Sequence, residues 1–328
     1  MLSKPRNFSF LLILIAGIYV SVPFSWSAES GWRWIHEKRN FIQLWDIWGT
    51  SAKDVFAVGV SGTILHFDGS QWKSQKSGTE KHLLGMWGSS GSDVFAVGLE
   101  GTIVHYNGKA WKSMKSGTKE TLLGVWGTSS EDVFAVGNGG TILHYDGKQW
   151  ASQASDTSSG LAAVWGTSQT NVYAVGTSGT ITRYDGKSWH RYAEVYGEGV
   201  QFNAVAGTSE QDIYVVGFKT DKRYEIKEVG KIESTVGVVL HWNGETWELI
   251  SDNLGLIIEG IAPVSITEVY FAGGVNFPQG GNITQYNGKK WSSTGLNSAY
   301  VLHSIWKAPS GELFAVGDKG AICCRTAP

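Results

Sequence analysis

Cysteine is almost missing from this chain: two in 328 residues, Cys323 and Cys324, side by side near the C-terminus. Neighbouring side chains of a strand point to opposite faces, so an extended backbone holds these two apart. A disulfide scaffold is excluded by the count. Two packed free thiols are expected, with a vicinal disulfide or redox pair as the alternative. Excess charge of either sign is also missing, since 27 Lys and Arg stand against 29 Asp and Glu for a net charge of −2. That balance removes the electrostatic case for nucleic acid or an anionic membrane surface. Long apolar runs are confined to one, Phe8 to Phe24. Preceded by Lys4 and Arg6 and followed by the small residues of SWSAES, it reads as a secretory signal cut after Ser27 or Ala28. An uncleaved anchor is the alternative, and no later segment is apolar enough to span a bilayer. The segments expected are therefore 1–28 as signal and 29–328 as one domain, exported to periplasm or medium. Proline is scarce at 6 residues, and only 17% of residues are charged. With 42% hydrophobic residues the chain is still too apolar to be disordered.

What the chain does have is glycine and tryptophan. Glycine, 43 of 328, is nearly twice the usual ~7%, and there are 16 tryptophans. They recur with a period. Motifs of the AVG type end at Gly59, Gly98, Gly137, Gly176, Gly217, Gly273 and Gly317, seven copies. The aromatic that follows each Asp-Gly or Asn-Gly pair falls at Trp72, Trp111, Trp150, Trp189, Trp247 and Trp291, only six. The seventh is expected at the other end, where GWRWIHE places Trp34 25 residues before Gly59. The chain then begins with the last strand of a unit whose first three strands lie at the C-terminus. A ring closed by its two termini explains that offset, and a linear solenoid does not.

Each unit reads as four strands: a (LLGVWG), b (DVFAVG), c (GTILHYDG) and d (KQWASQ). Four short antiparallel strands every ~40 residues is the period of a propeller blade. The apolar runs VFAV and TIL suit sheets covered on both faces. The pairs Asp68-Gly69, Asn107-Gly108 and Asp146-Gly147 suggest two-residue c–d turns with positive φ at both positions. An all-β, seven-bladed β-propeller follows.

At AVGNGGTILHYDGKQW the chain resembles the photosystem II assembly factor-like propellers of bacteria and plastids, and more loosely the Asp-box (BNR) repeats of sialidase-type propellers. HWNGETW, ending at Trp247, is nearest to a full Asp-box. The resemblance spans the mature chain and implies the fold, with the chain as an exported bacterial member. It does not carry photosystem assembly over to this chain.

Candidate chemistry is thin. His66, His105, His144 and His241 all stand in strand c, at equivalent places of different blades, so they lie around a ring. Metal ligands must converge to ~2.1 Å of one ion, and these cannot. Their expected role is structural, and no metal or cofactor is expected. Trp48, Trp87, Trp126, Trp165 and Trp306 are read as inter-blade packing. A sialidase-like site needs arginines converging on a carboxylate. Arg33, Arg183, Arg191 and Arg325 fall in strands c and d, away from the axis, which leaves Arg223 alone.

The departures from the repeat are more informative. Trp189 to Trp247 is 58 residues, 19 more than the standard 39. Most of the excess follows Gly217, at 218–235, and blade 6 adds five more at GVNFPQGG. Loops d–a and b–c share one face of the disc, so every insertion falls there. Such insertions often mark a binding face; an inert extension of a hairpin is the alternative. In strand a, three places before the WG tryptophan, blades 2–4 carry Leu84, Leu123 and Ala162. Blades 5, 6, 7 and 1 carry Asn203, Glu259, His303 and Trp45. A polar pocket at the channel mouth is expected. The expected binding surface comprises Tyr196, Glu198, Lys219, Lys222, Arg223, Tyr224, Asn276 and Phe277, with Trp45, Asn203, Glu259 and His303 at the mouth. The favoured reading is a non-catalytic scaffold for an envelope or secreted protein. A glycan-binding module and a glycosidase or lyase using Glu259 and His303 are the rivals.

Overall fold

The computed structural model describes residues 31–36, 42–192, 199–226, 230–276, 279–296 and 300–326. Side-chain surroundings are described for all of these except 36, 221–226, 230–234, 275–276 and 279. The described residues form seven four-stranded antiparallel sheets, each ordered a-b-c-d from inside to outside. Blade 1 consists of Leu44–Ser51, Asp54–Gly59, Thr63–Phe67 and Trp72–Lys76. Blades 2 to 6 follow in sequence. The seven-bladed, all-β architecture read from the repeat is the one observed. No described helix is long and apolar enough to cross a membrane.

Strand b shows why the apolar runs are unbroken. In blade 3 Val133 and Ala135 pack with Phe95 and Val97 of blade 2, while Phe134 and Val136 pack with Val172 and Ala174 of blade 4. Successive side chains point to opposite faces, and both faces meet a neighbouring blade. Burying each of the Val and Phe side chains contributes about 1.5–3 kcal/mol, so the interfaces supply the core. The WG pairs interlock the inner strands. A Cβ on Gly127 would lie 2.9 Å from the Trp87 ring, and one on Gly166 2.9 Å from Trp126. Each tryptophan thus fills the space that the next blade's glycine leaves open, as the inter-blade reading expected.

The ring is closed by the termini. Strand Trp32–His36 pairs antiparallel with Ile322–Arg325, matching Trp32 to Arg325, Arg33 to Cys324 and Trp34 to Cys323. In blade 3 the equivalent strand c residue Tyr145 pairs with Trp150. Trp32, not Trp34, therefore occupies the register of the strand d tryptophans. A register shift between Trp34 and His36 absorbs the difference. Cys323 faces the blade 6 side and Cys324 the blade 1 side, both buried and free.

The c–d connections also differ from the two-residue turn. Four residues separate Phe67 from its partner Trp72, and of the pair Asp68-Gly69 only Gly69 has positive φ, at 87°. The Asp68 carboxylate instead accepts the backbone N–H groups of Ser70 and Gln71, each at 3.0 Å. Asn107, Asp146, Asp185, Asn243 and Asn287 do the same. Asp or Asn serves here as an acceptor for its own turn, and glycine alone takes the left-handed position.

Candidate functional site

The face carrying the d–a and b–c connections is tied together by backbone bonds. Val60 N donates to Gln43 O at 3.0 Å, and Asp318 N to Val301 O at 3.0 Å. The described parts of the b–c insertions in blades 5 and 6 are paired strands. In blade 5 Asp212–Ile226 and Gly230–Trp242 run 15 and 13 residues, matched from Ile213 and Trp242 out to Ile226 and Gly230. In blade 6 pairing extends to Asn276 and Gln279. Extended hairpins of this length form because period-two pairing continues wherever both edges find partners. Lys219 sits at the root of the blade 5 arm and forms an ion pair with Asp252 of strand d. Lys222, Arg223, Tyr224 and Asn276 lie on the arms, where the backbone alone is described. Tyr196, Glu198 and Phe277 fall outside the described residues.

The four mouth residues do come together. Asn203 Nδ2 donates to the Ile258 carbonyl at 2.9 Å and approaches Glu259 Oε2 at 3.4 Å. Gln201 Nε2 donates to Asn203 Oδ1 at 3.1 Å. The His303 and Trp45 rings lie 4.5 Å apart. His303 Nε2 bonds Asp318 Oδ1 at 3.0 Å, and Gln43 Nε2 donates to the same oxygen at 3.0 Å. Asp318 lies low in pKa because of the His303 hydrogen bond, against the opposing effect of burial. The Glu259 carboxyl is pushed up by burial; His303 opposes this and Asp318 adds to it. His303 Nδ1 is buried and has no partner among the described residues, and the same holds for Trp45 Nε1. The arc therefore offers a carboxyl, an imidazole and an indole N–H around the start of the channel. Among the described residues no hydroxyl or thiol is bonded to His303, so the groups seen here are hydrogen-bond donors and acceptors.

Asp318, Gln43 and, one layer deeper, Asp46 were not found by the sequence comparison. Asp46 stands where the other blades have Gly85, Gly124, Ala163, Ala204, Gly260 and Ser304. Its carboxylate accepts from Met86 N of blade 2 at 2.8 Å, Ser304 Oγ of blade 7 at 2.7 Å and its neighbour Ile47 N at 2.9 Å. Burial raises its pKa to about 6 against those three bonds. A lone acid among small residues was the available signal.

The strand c histidines are each bonded to a carboxylate of their own blade. His66, His105, His144 and His241 bond Asp54, Asp93, Asp132 and Asp212 at 2.6–2.8 Å. Each also stacks on a strand b ring, as His144 does on Phe134 at 4.4 Å. Thr50, Ser89, Thr128 and Thr208 donate to the same carboxylates. The groups resemble a hydrolase triad only in composition. The hydroxyl bonds the carboxylate and not the imidazole, so no base activates it. Arg183 with Asn171 and Gln285 with Glu268 take the same places in blades 4 and 6.

In fold the chain is similar to known propellers. The structure described as YCF48 bound to D1 peptide matches with a TM-score of 0.69 at 14% identity, over 93% of this chain and 98% of that one. YCF48 from Cyanidioschyzon merolae matches at 0.64 and 16%, over 90% and 98%. The WD40 propeller domain of Doa1 gives 0.69 and 10%, over 89% and 95%. At such identities the likeness concerns the fold alone. No protein-family model matches the chain, and no curated protein does either.

Proposed function

We propose that this chain is an exported, non-catalytic scaffold that binds an envelope or secreted polypeptide on the face bearing the blade 5 and blade 6 hairpins. The observation that carries the reading is a coincidence of place. The two lengthened hairpins rise from the face where the strand a residues change from Leu84, Leu123 and Ala162 to Asn203, Glu259, His303 and Trp45. A neighbour of the same fold is described with a bound peptide, which makes a polypeptide the first partner to test. A glycan partner would require an exposed ring on Trp45, Tyr196 or Phe277; at Trp45 the His303 ring lies 4.5 Å away, tilted by 38°.

The test uses residues 29–328 as bait in native envelope extract. Three variants accompany it: residues 221–234 replaced by Asn-Gly, Glu259→Gln with His303→Asn, and Lys148→Glu on the opposite face. Retained proteins are expected to be lost with the first two and kept with the third. Identical capture by all four baits would end this assignment.

A further inference from the structure

The two thiols of this chain share one cover. Cys323 and Cys324 lie in Ile322–Arg325, strand c of blade 7, and both are free. Trp34 and Arg33 of the seam strand Trp32–His36 are registered opposite them. Side chains alternate along a strand, so this one strand encloses the pair from both sides. Trp32 and Trp34 pack into the cluster that holds Cys323, and Ile35 packs into the cluster that holds Cys324. Cys323 keeps no exposed surface and Cys324 keeps 4%. Burial, and then the neighbouring Cys324, push the Cys323 thiol up. Thiols so enclosed are inert while the strand is in place.

That cover is also the outer strand with the least tether. In blades 1 to 6 a turn of four residues joins strand c to strand d, as between Phe67 and Trp72. Blade 7 has no such turn, because its strand d comes from the other end of the chain. One edge of Trp32–His36 pairs with Ile322–Arg325, and the other has no partner strand among the described residues. A register shift between Trp34 and His36 interrupts the single ladder that holds it. Local opening is least costly at strands near a chain end. Ile35 also walls a groove of about 520 Å³ that reaches Cys324, so lifting the strand opens that thiol to solvent.

We propose that Cys323 and Cys324 form a redox latch on the ring seam, closed as a dithiol beneath the N-terminal strand and opened by reaction with a disulfide. When the strand lifts, the Cys324 thiolate attacks one sulfur of the disulfide RSSR. A bond forms between the two sulfurs, the old S–S bond breaks, and RS⁻ leaves. The Cys323 thiolate then attacks the Cys324 sulfur and expels the second RS⁻. The two thiols are thereby oxidised to one disulfide, RSSR is reduced to two RSH, and the two thiol protons pass to the leaving groups. Adjacent Cα atoms lie ~3.8 Å apart, below the ~4.4–6.8 Å usual for a disulfide. The side chains of an extended pair also point apart. The bridged pair therefore leaves the extended conformation, and the ladder to Trp32–His36 cannot re-form. The latch concerns the seam alone and does not rest on the partner-binding face above.

Residues 29–328 would be incubated with glutathione disulfide and followed by intact mass and by tryptic cleavage after Arg33, within the covering strand. The chain is expected to lose two hydrogens, to retain no glutathione, and to be cleaved at Arg33 at least tenfold faster. Dithiothreitol should reverse both changes. Cys323→Val, which carries the residue found at this place in blade 2, should stop at one retained glutathione. Trp34→Ala, which thins the cover, should speed the reaction at least tenfold. Urea well below the unfolding midpoint should change the wild-type rate less than twofold, because only a local opening precedes reaction. Should either variant fail to fold, that urea dependence carries the test. A rate that climbs with urea as steeply as global unfolding overturns the proposal. So does wild type that stays unreacted or stops at one retained glutathione, and so does a bridged chain that still resists cleavage at Arg33.

Discussion

Replacing Asp46 with alanine, the residue at the same place in blades 4 and 5, isolates one buried charge at the centre of the ring. Folding moves this carboxyl from its ordinary 3.8 to about 6 because burial outweighs the three hydrogen bonds it accepts. The folded chain therefore holds the proton more tightly than the unfolded chain. Its contribution to stability is fully present below pH 4 and is lost as pH rises through about 6. The difference between 3.8 and about 6, at 1.36 kcal/mol per pH unit, amounts to about 3 kcal/mol. That figure is an upper one, since Asp46 keeps some surface toward the channel where water screens the charge. Urea unfolding followed by tryptophan fluorescence at pH 4, 5, 6 and 7 measures it. The stability of wild type relative to Asp46→Ala should fall by about 1–3 kcal/mol across that range and then level off. Ser304→Ala, which removes a hydrogen bond favouring the ionised form, should move the fall to higher pH. A wild-type-minus-variant difference that stays constant from pH 4 to pH 7 would refute the argument that burial governs this group.

Three further outcomes follow from the blade interfaces. Trp150 Nε1 is buried without a partner because Met114 stands where Gln75 and Gln153 serve the neighbouring interfaces; Met114→Gln should raise stability by about 1 kcal/mol in urea unfolding. Gly127→Ala brings a methyl to 2.9 Å from the Trp87 ring and should cost about 1–3 kcal/mol by the same measurement. Gly139→Ser is the control: nothing lies within 4 Å of its Cβ position, and Ser61, Glu100 and Lys319 already hold the same left-handed conformation, so the change should stay within about 1 kcal/mol.

What the sequence by itself determined is the part governed by periodicity. Seven glycine-ended strands, six tryptophans and an offset N-terminal strand impose a closed ring, because only closure satisfies the two incomplete edges. The same register comparison found Asn203, Glu259, His303 and Trp45, since a position that changes chemistry in a repeat is visible without coordinates. Tertiary structure decided whatever depends on distance between units. Asp318 reaches His303 from the turn after strand b, Asp46 bridges blades 2 and 7, and the strand c histidines find their carboxylates one strand away. The seam between blades 7 and 1 sets Ile35 near one terminus beside Phe314 and Cys324 near the other, a contact that only the closed ring makes. The turn geometry also lay beyond the sequence, because Asp-Gly is compatible with two hairpin types and the pairing of Phe67 with Trp72 selects between them.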